Sequence, residues 1–208
     1  MSVRVPTTER SRRTRAELAR STRDVLAAEG VIRADAIAQA AKVSTATFYA
    51  HFESHDDALG AALDLALDSI VGAATTSFRF EALIENGLDA VAHDLVERMH
   101  VAFRAESQVM RAALARMGYH RPIRDIYRAH ERRSFEHVVR QIDLGQKAGV
   151  LRSGPIEAIA TALLVVVQGI HNPLLAKQQI DPAVAASLCV AISALLAPDG
   201  GAATTQRP

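Results

Sequence analysis

The stretch Ile37–Leu59, IAQAAKVSTATFYAHFESHDDAL, decides how the rest of the chain is read. Ile37, Ala38 and Ala41 give a first short helix an apolar face, and Ala40-Ala41-Lys42-Val43 supplies a compact corner before Ser44. Ser44 suits an N-cap, because its hydroxyl accepts from a free amide in the first turn of the next helix. In that helix Phe48 and Phe52 stand four apart and face inward, while Thr45, Ala46, Thr47, Tyr49 and His51 face elsewhere. The outer face is small and polar at its N-terminal end, as a helix must be if backbone and bases are to approach it in a major groove. Ser54, with Asp57 three residues on, opens a further helix by an S-x-x-D capping pattern, and Asp56 complements its dipole. Three helix starts in so little sequence predict a helix-turn-helix followed by a connecting helix.

At Ile37-Ala38, the corner Ala41 to Val43, and Ser44-Thr45-x-Thr47-Phe48-Tyr49-x-His51-Phe52 with Leu59 beyond, the chain resembles the TetR (tetracycline-repressor) family of bacterial regulators. The likeness is specific over the first quarter of the chain and architectural afterwards. Lys42 stands where many members have glycine, and His55 where many have lysine. If His55 inherits that lysine's phosphate contact, the contact is weaker and pH-dependent. The segment Gly30 to Asp35 also lacks the Ser or Thr that usually caps the second helix.

From Met1 to Arg23 seven arginines stand against Glu9 and Glu17, a local balance of +5 in a chain whose net charge is +1. From Asp56 onward fifteen Lys or Arg face seventeen Asp or Glu. Positive charge therefore gathers beside the helix-turn-helix, where a polyanion would be met. Arg10, Arg12, Arg13 and Arg15 are the candidates for phosphate. The candidate DNA-binding set is thus Thr45, Ala46, Thr47, Tyr49, His51, His55, Lys42, Arg12, Arg13 and Arg15. Threonines bond bases or phosphates, Ala46 touches a thymine methyl, and Tyr49 and His51 donate to phosphate.

The predicted fold class is all-α. The predicted domains are a flexible basic arm at 1–13, a three-helix DNA-binding domain at 14–53, a helical ligand-binding and dimerisation domain at 54–197, and a disordered tail at 198–208. The first helix runs Thr14 to Glu29, closed by Gly30. The connecting helix runs from Ser54 to about Thr76, and one amphipathic helix spans Leu83 to Phe103. Ser107 caps a helix closed by Gly118, and Pro122 opens a long one ending between Gly145 and Gly149. Two apolar helices follow, one from Ser153 to Ile170 and one begun by Asp181-Pro182 and running Val184 to Leu196.

Those last two helices are apolar nearly all round, so each must be covered on more than one side. Either they form this domain's own core or two copies pair across them. The resemblance implies the second, a homodimer, with Leu163, Val167, Ile192 and Leu195 as the predicted seam. It also implies a small, mainly apolar organic effector in the helical domain, whose binding shifts the connecting helix. Met99, His100, Phe103, Met110, Met117, Tyr127, His130, Gln168 and His171 are the candidate lining, because apolar walls with a few polar tips suit a ligand cavity. The same pattern also describes an ordinary helical core.

Other function classes find little support. Glu97-Arg98-Met99-His100 matches one E-x-x-H element, but di-iron bundles need two, so neither a metal nor another cofactor is expected. No G-x-S-x-G elbow, phosphate-cradling glycine loop or H-E-x-x-H is present, and the chain is not expected to be an enzyme. The apolar run Ile156 to Ile170 falls short of the roughly 20 residues needed to span a bilayer. With the single cysteine, Cys189, read as a reduced buried thiol, a cytoplasmic protein without membrane contact is expected. The alternatives to a regulator are a helical metal or small-ligand carrier, and an architectural DNA binder without sequence preference.

Overall fold

The computed structural model describes residues 8–170 and 180–198. Among these residues every regular element is a helix: α1 Glu9–Glu29, α2 Ala34–Ala40, α3 Thr45–His51, α4 His55–Ser77, α5 Phe80–Asn86, α6 Leu88–Ala105, α7 Ser107–Leu114, α8 Arg121–Lys147, α9 Ile156–Gly169 and α10 Pro182–Leu196. The described residues form two compact units, one built from 8–70 with 105–131 and the other from 71–104 with 132–170 and 180–198.

In the first unit, α1 starts five residues before the predicted Thr14. The Thr8 hydroxyl accepts from Ser11 N at 3.2 Å, and Glu9 pairs with Arg12 at 2.8 Å. This cap and the acidic first turn extend the helix through residues read as a flexible arm. The helix ends at Gly30, whose φ of 73° only glycine adopts without cost. Leu18, Val25, Ile37, Ala38, Phe48, Phe52 and Ala58 form one buried cluster that holds α1 to α4 together.

Here α4 begins as the capping pattern requires. Asp57 N donates to Ser54 Oγ at 3.1 Å, and Glu53 N donates back to Asp57 Oδ2 at 3.1 Å. By length and hydropathy α4 could cross a bilayer, but Ala58, Leu59, Ala62, Leu63 and Ala66 along it are fully buried in the protein. The start of α8 packs on α4 in this unit: His130 Nε2 lies 2.7 Å from Asp64 Oδ1, and Gly60 faces Ile126.

In the second unit, the helix predicted from Leu83 to Phe103 is two helices. Gly87, at φ 79° and ψ 166°, separates α5 from α6. Apolar periodicity runs through this break because the residues on either side still face the core. The Gln141 side chain is buried and its Oε1 accepts from Phe80 N at 2.7 Å, satisfying an amide at the start of α5. His137 Nε2 lies 2.8 Å from the Phe78 carbonyl. α9 packs against α10, and Arg152 N donates to the last residue of α10, Leu196 O, at 2.9 Å.

Candidate nucleic-acid interface

Seven residues make α3, too short a helix to be stable alone, so its placement depends on its ends and its buried face. At the N-terminal end Ser44 Oγ accepts from Thr47 N at 3.1 Å. At the buried face Phe48 and Phe52 have no exposed surface and meet with ring centroids 5.5 Å apart. With those two rings inside, Thr45, Ala46 and Tyr49 are left exposed. Thr47 is half-buried, and its hydroxyl shares a 2.9 Å hydrogen bond with Ser44 Oγ.

The corner before α3 closes by two backbone hydrogen bonds, Val43 N to Ala38 O at 2.9 Å and Lys42 N to Gln39 O at 3.0 Å. This paired pattern ends a helix when the residue after the C-cap is left-handed. Lys42 takes that conformation at φ 56°, alone among the described non-glycine residues. Val43 packs against the buried cluster of this unit and anchors the turn. The Lys42 and His55 side chains are exposed at the two ends of α3.

Neighbouring charges are arranged unequally. Arg13 is exposed, whereas Arg12 is paired with Glu9. Arg15 turns inward: its Nη1 donates to the His51 carbonyl, and its guanidinium carbon lies 4.4 Å from the centroid of the Phe52 ring. Burial pushes its pKa below the usual guanidinium range, and the charge of Asp57 opposes that shift. Burial, and then the nearby Arg15 charge, pushes the His51 imidazole down from 6.5. Both effects favour the neutral imidazole, a hydrogen-bonding group, over the cation.

The α2 N-terminus has no side-chain cap at Arg33, as its sequence predicts. Arg33 instead bridges Asp35 at 2.7 Å and Glu29 at 3.6 Å.

No protein-family model matches this sequence, and no curated protein does. Solved structures do. A protein from Mesorhizobium loti, described among the TetR-family transcriptional regulators, superposes with a TM-score of 0.75 at 16% identity, over 91% of this chain and 100% of that one. The chain has the TetR fold. A TetR transcription regulator from Haloarcula marismortui gives a TM-score of 0.69 at 17% identity, covering 88% of this chain and 96% of that one. A regulator from Saccharomonospora viridis, solved in complex with choline, gives 0.63 at 22% identity, covering 88% and 95%.

Within this TetR fold the other sequence candidates separate. Met110, Met117, Tyr127 and His130 belong to the first unit; Met99, His100, Phe103 and Gln168 belong to the second, and His171 lies outside the described residues. Met99, Phe103 and Met110 are buried, Met117 and Tyr127 half-buried, and Gln168 exposed. Two of the polar tips are already engaged, His130 with Asp64 and His100 Nε2 with Ile180 N at 3.2 Å. Among the described residues no three His, Cys, Asp or Glu side chains converge as metal ligands.

The four predicted seam residues all belong to the second unit. Leu163, Val167 and Ile192 are buried within the single chain, so their surface is spent on its own core, and Leu195 is half-buried. Among the exposed large apolar residues of α9 and α10 are Val165, 63% exposed, and Val190, 68% exposed, with Val184 less so. Cys189 is half-buried rather than enclosed. Its Sγ lies 3.4 Å from His93 Nδ1, and burial pushes its pKa up. The sequence carried no signal for Arg15's inward turn, whose partners lie 36 residues away.

Proposed function

We propose that this protein is a DNA-binding transcriptional regulator that acts as a homodimer on a palindromic operator, and that it is a repressor released by a small, mainly apolar organic ligand. The observation that carries the reading is α3 itself. It is a short helix with Phe48 and its C-cap Phe52 in the core, a capped N-terminus, and Thr45 and Ala46 outward in its first turn. In that position Thr45 and Ala46 meet base edges, while Tyr49 and the exposed Arg13 meet phosphate.

Support for the homodimer comes from the outward apolar side chains of α9 and α10. Val165 and Val190 are each more than half exposed on two helices packed together, and a second copy of the chain would cover them about a two-fold axis. A two-fold protein in turn suits a two-fold operator. For the effector, support comes from the Saccharomonospora viridis neighbour, which was solved in complex with choline, a small organic molecule. Buried Met and Phe side chains such as Met99 and Phe103 give an adaptable apolar environment for one here.

The test is equilibrium binding of the purified chain to the DNA upstream of its own gene and to random duplex, each at two salt concentrations. Specific regulation requires that the preference for one palindromic site survive as total affinity falls with salt. Equal affinity for both duplexes would leave only an architectural binder, and no salt-sensitive binding at all would leave a ligand carrier.

A further inference from the structure

We propose that Arg15 is a positioning residue: it fixes the C-terminal end of α3 and so sets the pose of the recognition helix, instead of meeting a phosphate. The inference rests on the reading of α3 as the helix that enters DNA. Its physical basis is the way α3 ends. A helix leaves its last carbonyls without intrahelical donors, and its C-terminus carries partial negative charge. Many helices resolve this with a left-handed glycine, whose turn brings following amides back to those carbonyls. α3 has no such turn, because its C-cap Phe52 is extended at φ −126° and ψ 125°. The Phe52 amide returns to Phe48 O, and the His51 carbonyl is met from outside the helix by Arg15.

Three features of the contact suit positioning. The guanidinium supplies a full positive charge where the helix dipole is negative. It stacks at 4.4 Å over Phe52, a ring with no exposed surface that is itself part of the unit's core, so the cation is tied to a fixed wall. It also connects α1 to the end of α3 across 36 residues of sequence, which turns a seven-residue helix into a braced one. A lysine would supply the charge without the planar face and forked donors that this geometry uses.

The test uses the full chain with Arg15→Gln, Arg15→Lys and Arg13→Gln, and two readouts. The first is amide hydrogen exchange without DNA. Arg15→Gln and Arg15→Lys are expected to speed exchange in the last turn of α3, including the Phe52 amide, by about tenfold or more, the size set by losing a charge-assisted hydrogen bond. Amides of α6 and α9 should be unchanged. The second is binding to random duplex and to the best duplex the wild-type chain selects from a random library. Misplacing α3 removes base contacts more than backbone ones, so both Arg15 variants should lower the selected-to-random affinity ratio by about tenfold while the salt slope stays at the wild-type value. Arg13→Gln should instead keep the ratio and reduce the slope by about one.

A merely structural loss would lower affinity for both duplexes together and leave the ratio intact. That result overturns the proposal. So does a salt slope that falls by about one in Arg15→Gln and recovers in Arg15→Lys, which is the behaviour of a phosphate contact. Unchanged α3 exchange refutes the bracing role whatever the DNA result. Faster exchange in a chain whose wild type selects no duplex supports the brace and removes the DNA reading instead.

Discussion

Lys42→Gly should make this protein more stable. Lys42 holds φ at 56° in the corner between α2 and α3, a conformation that costs a residue with a Cβ roughly 1–2 kcal/mol. Glycine removes that strain, but its greater freedom in the unfolded chain takes back roughly 0.5–1 kcal/mol. Both backbone hydrogen bonds of the corner, Lys42 N to Gln39 O and Val43 N to Ala38 O, remain possible, and the side chain removed is exposed. The net expectation is a gain of about 0.5–1 kcal/mol, or about 1–4 °C in melting temperature for a chain of this size. Lys42→Val should shift the other way, since a β-branched side chain tolerates positive φ worst. Tyrosine fluorescence suits the measurement, because the chain has no tryptophan and its three tyrosines, Tyr49, Tyr119 and Tyr127, all lie in the first unit. A melting midpoint that is unchanged or lower in Lys42→Gly, or Lys42→Val as stable as wild type, would refute the strain argument.

Other perturbations test separate parts of the structure. Phe48→Ala empties a fully buried site at the centre of the first unit and should cost about 3–5 kcal/mol by tyrosine-monitored urea unfolding. Gly145→Ala places a Cβ 2.5 Å from Leu151 Cδ1 and should cost about 1–3 kcal/mol; the same change in a Leu151→Ala background should cost clearly less, and equal costs would discount the clash. Glu106 is buried with Arg23 at 3.5 Å, and burial pushes its carboxyl pKa above 4.5. Because the folded value is raised, the stability linked to its proton is complete below pH 4.5 and is lost as pH rises through the folded value. Glu106→Gln should therefore gain stability relative to wild type as pH is raised from 4.5 toward neutrality, and a difference that does not vary with pH would refute the linkage.

Much of the first unit was legible because its signals are local. Ser44 and Ser54 announce helix starts through hydrogen bonds to residues three positions on, and Phe48 and Phe52 announce a buried face through their spacing. Caps and periodicity act within a few residues, so a sequence window contains their cause. Lys42 was legible in part: the corner was predicted, but its left-handed backbone appears only in the turn geometry.

The second unit was less legible where the pattern has no polar side. α9 and α10 are apolar nearly all round, so periodicity predicts that they are covered but cannot choose which face goes inward. Tertiary packing placed Leu163, Val167 and Ile192 inside and left Val165 and Val190 out. Gly87 was missed for a related reason, since the apolar rhythm continues across the break that its backbone makes.

By itself, then, the sequence determined an all-helical chain and the short helix after Ser44 with the inward rings of Phe48 and Phe52. These follow from interactions spanning one or two helical turns. The tertiary structure alone decided that Arg15 braces the end of that helix, that His130 meets Asp64, and which faces of α9 and α10 stay exposed. Each depends on segments distant in sequence, where the partner is chosen by how helices pack and not by what stands next in the chain.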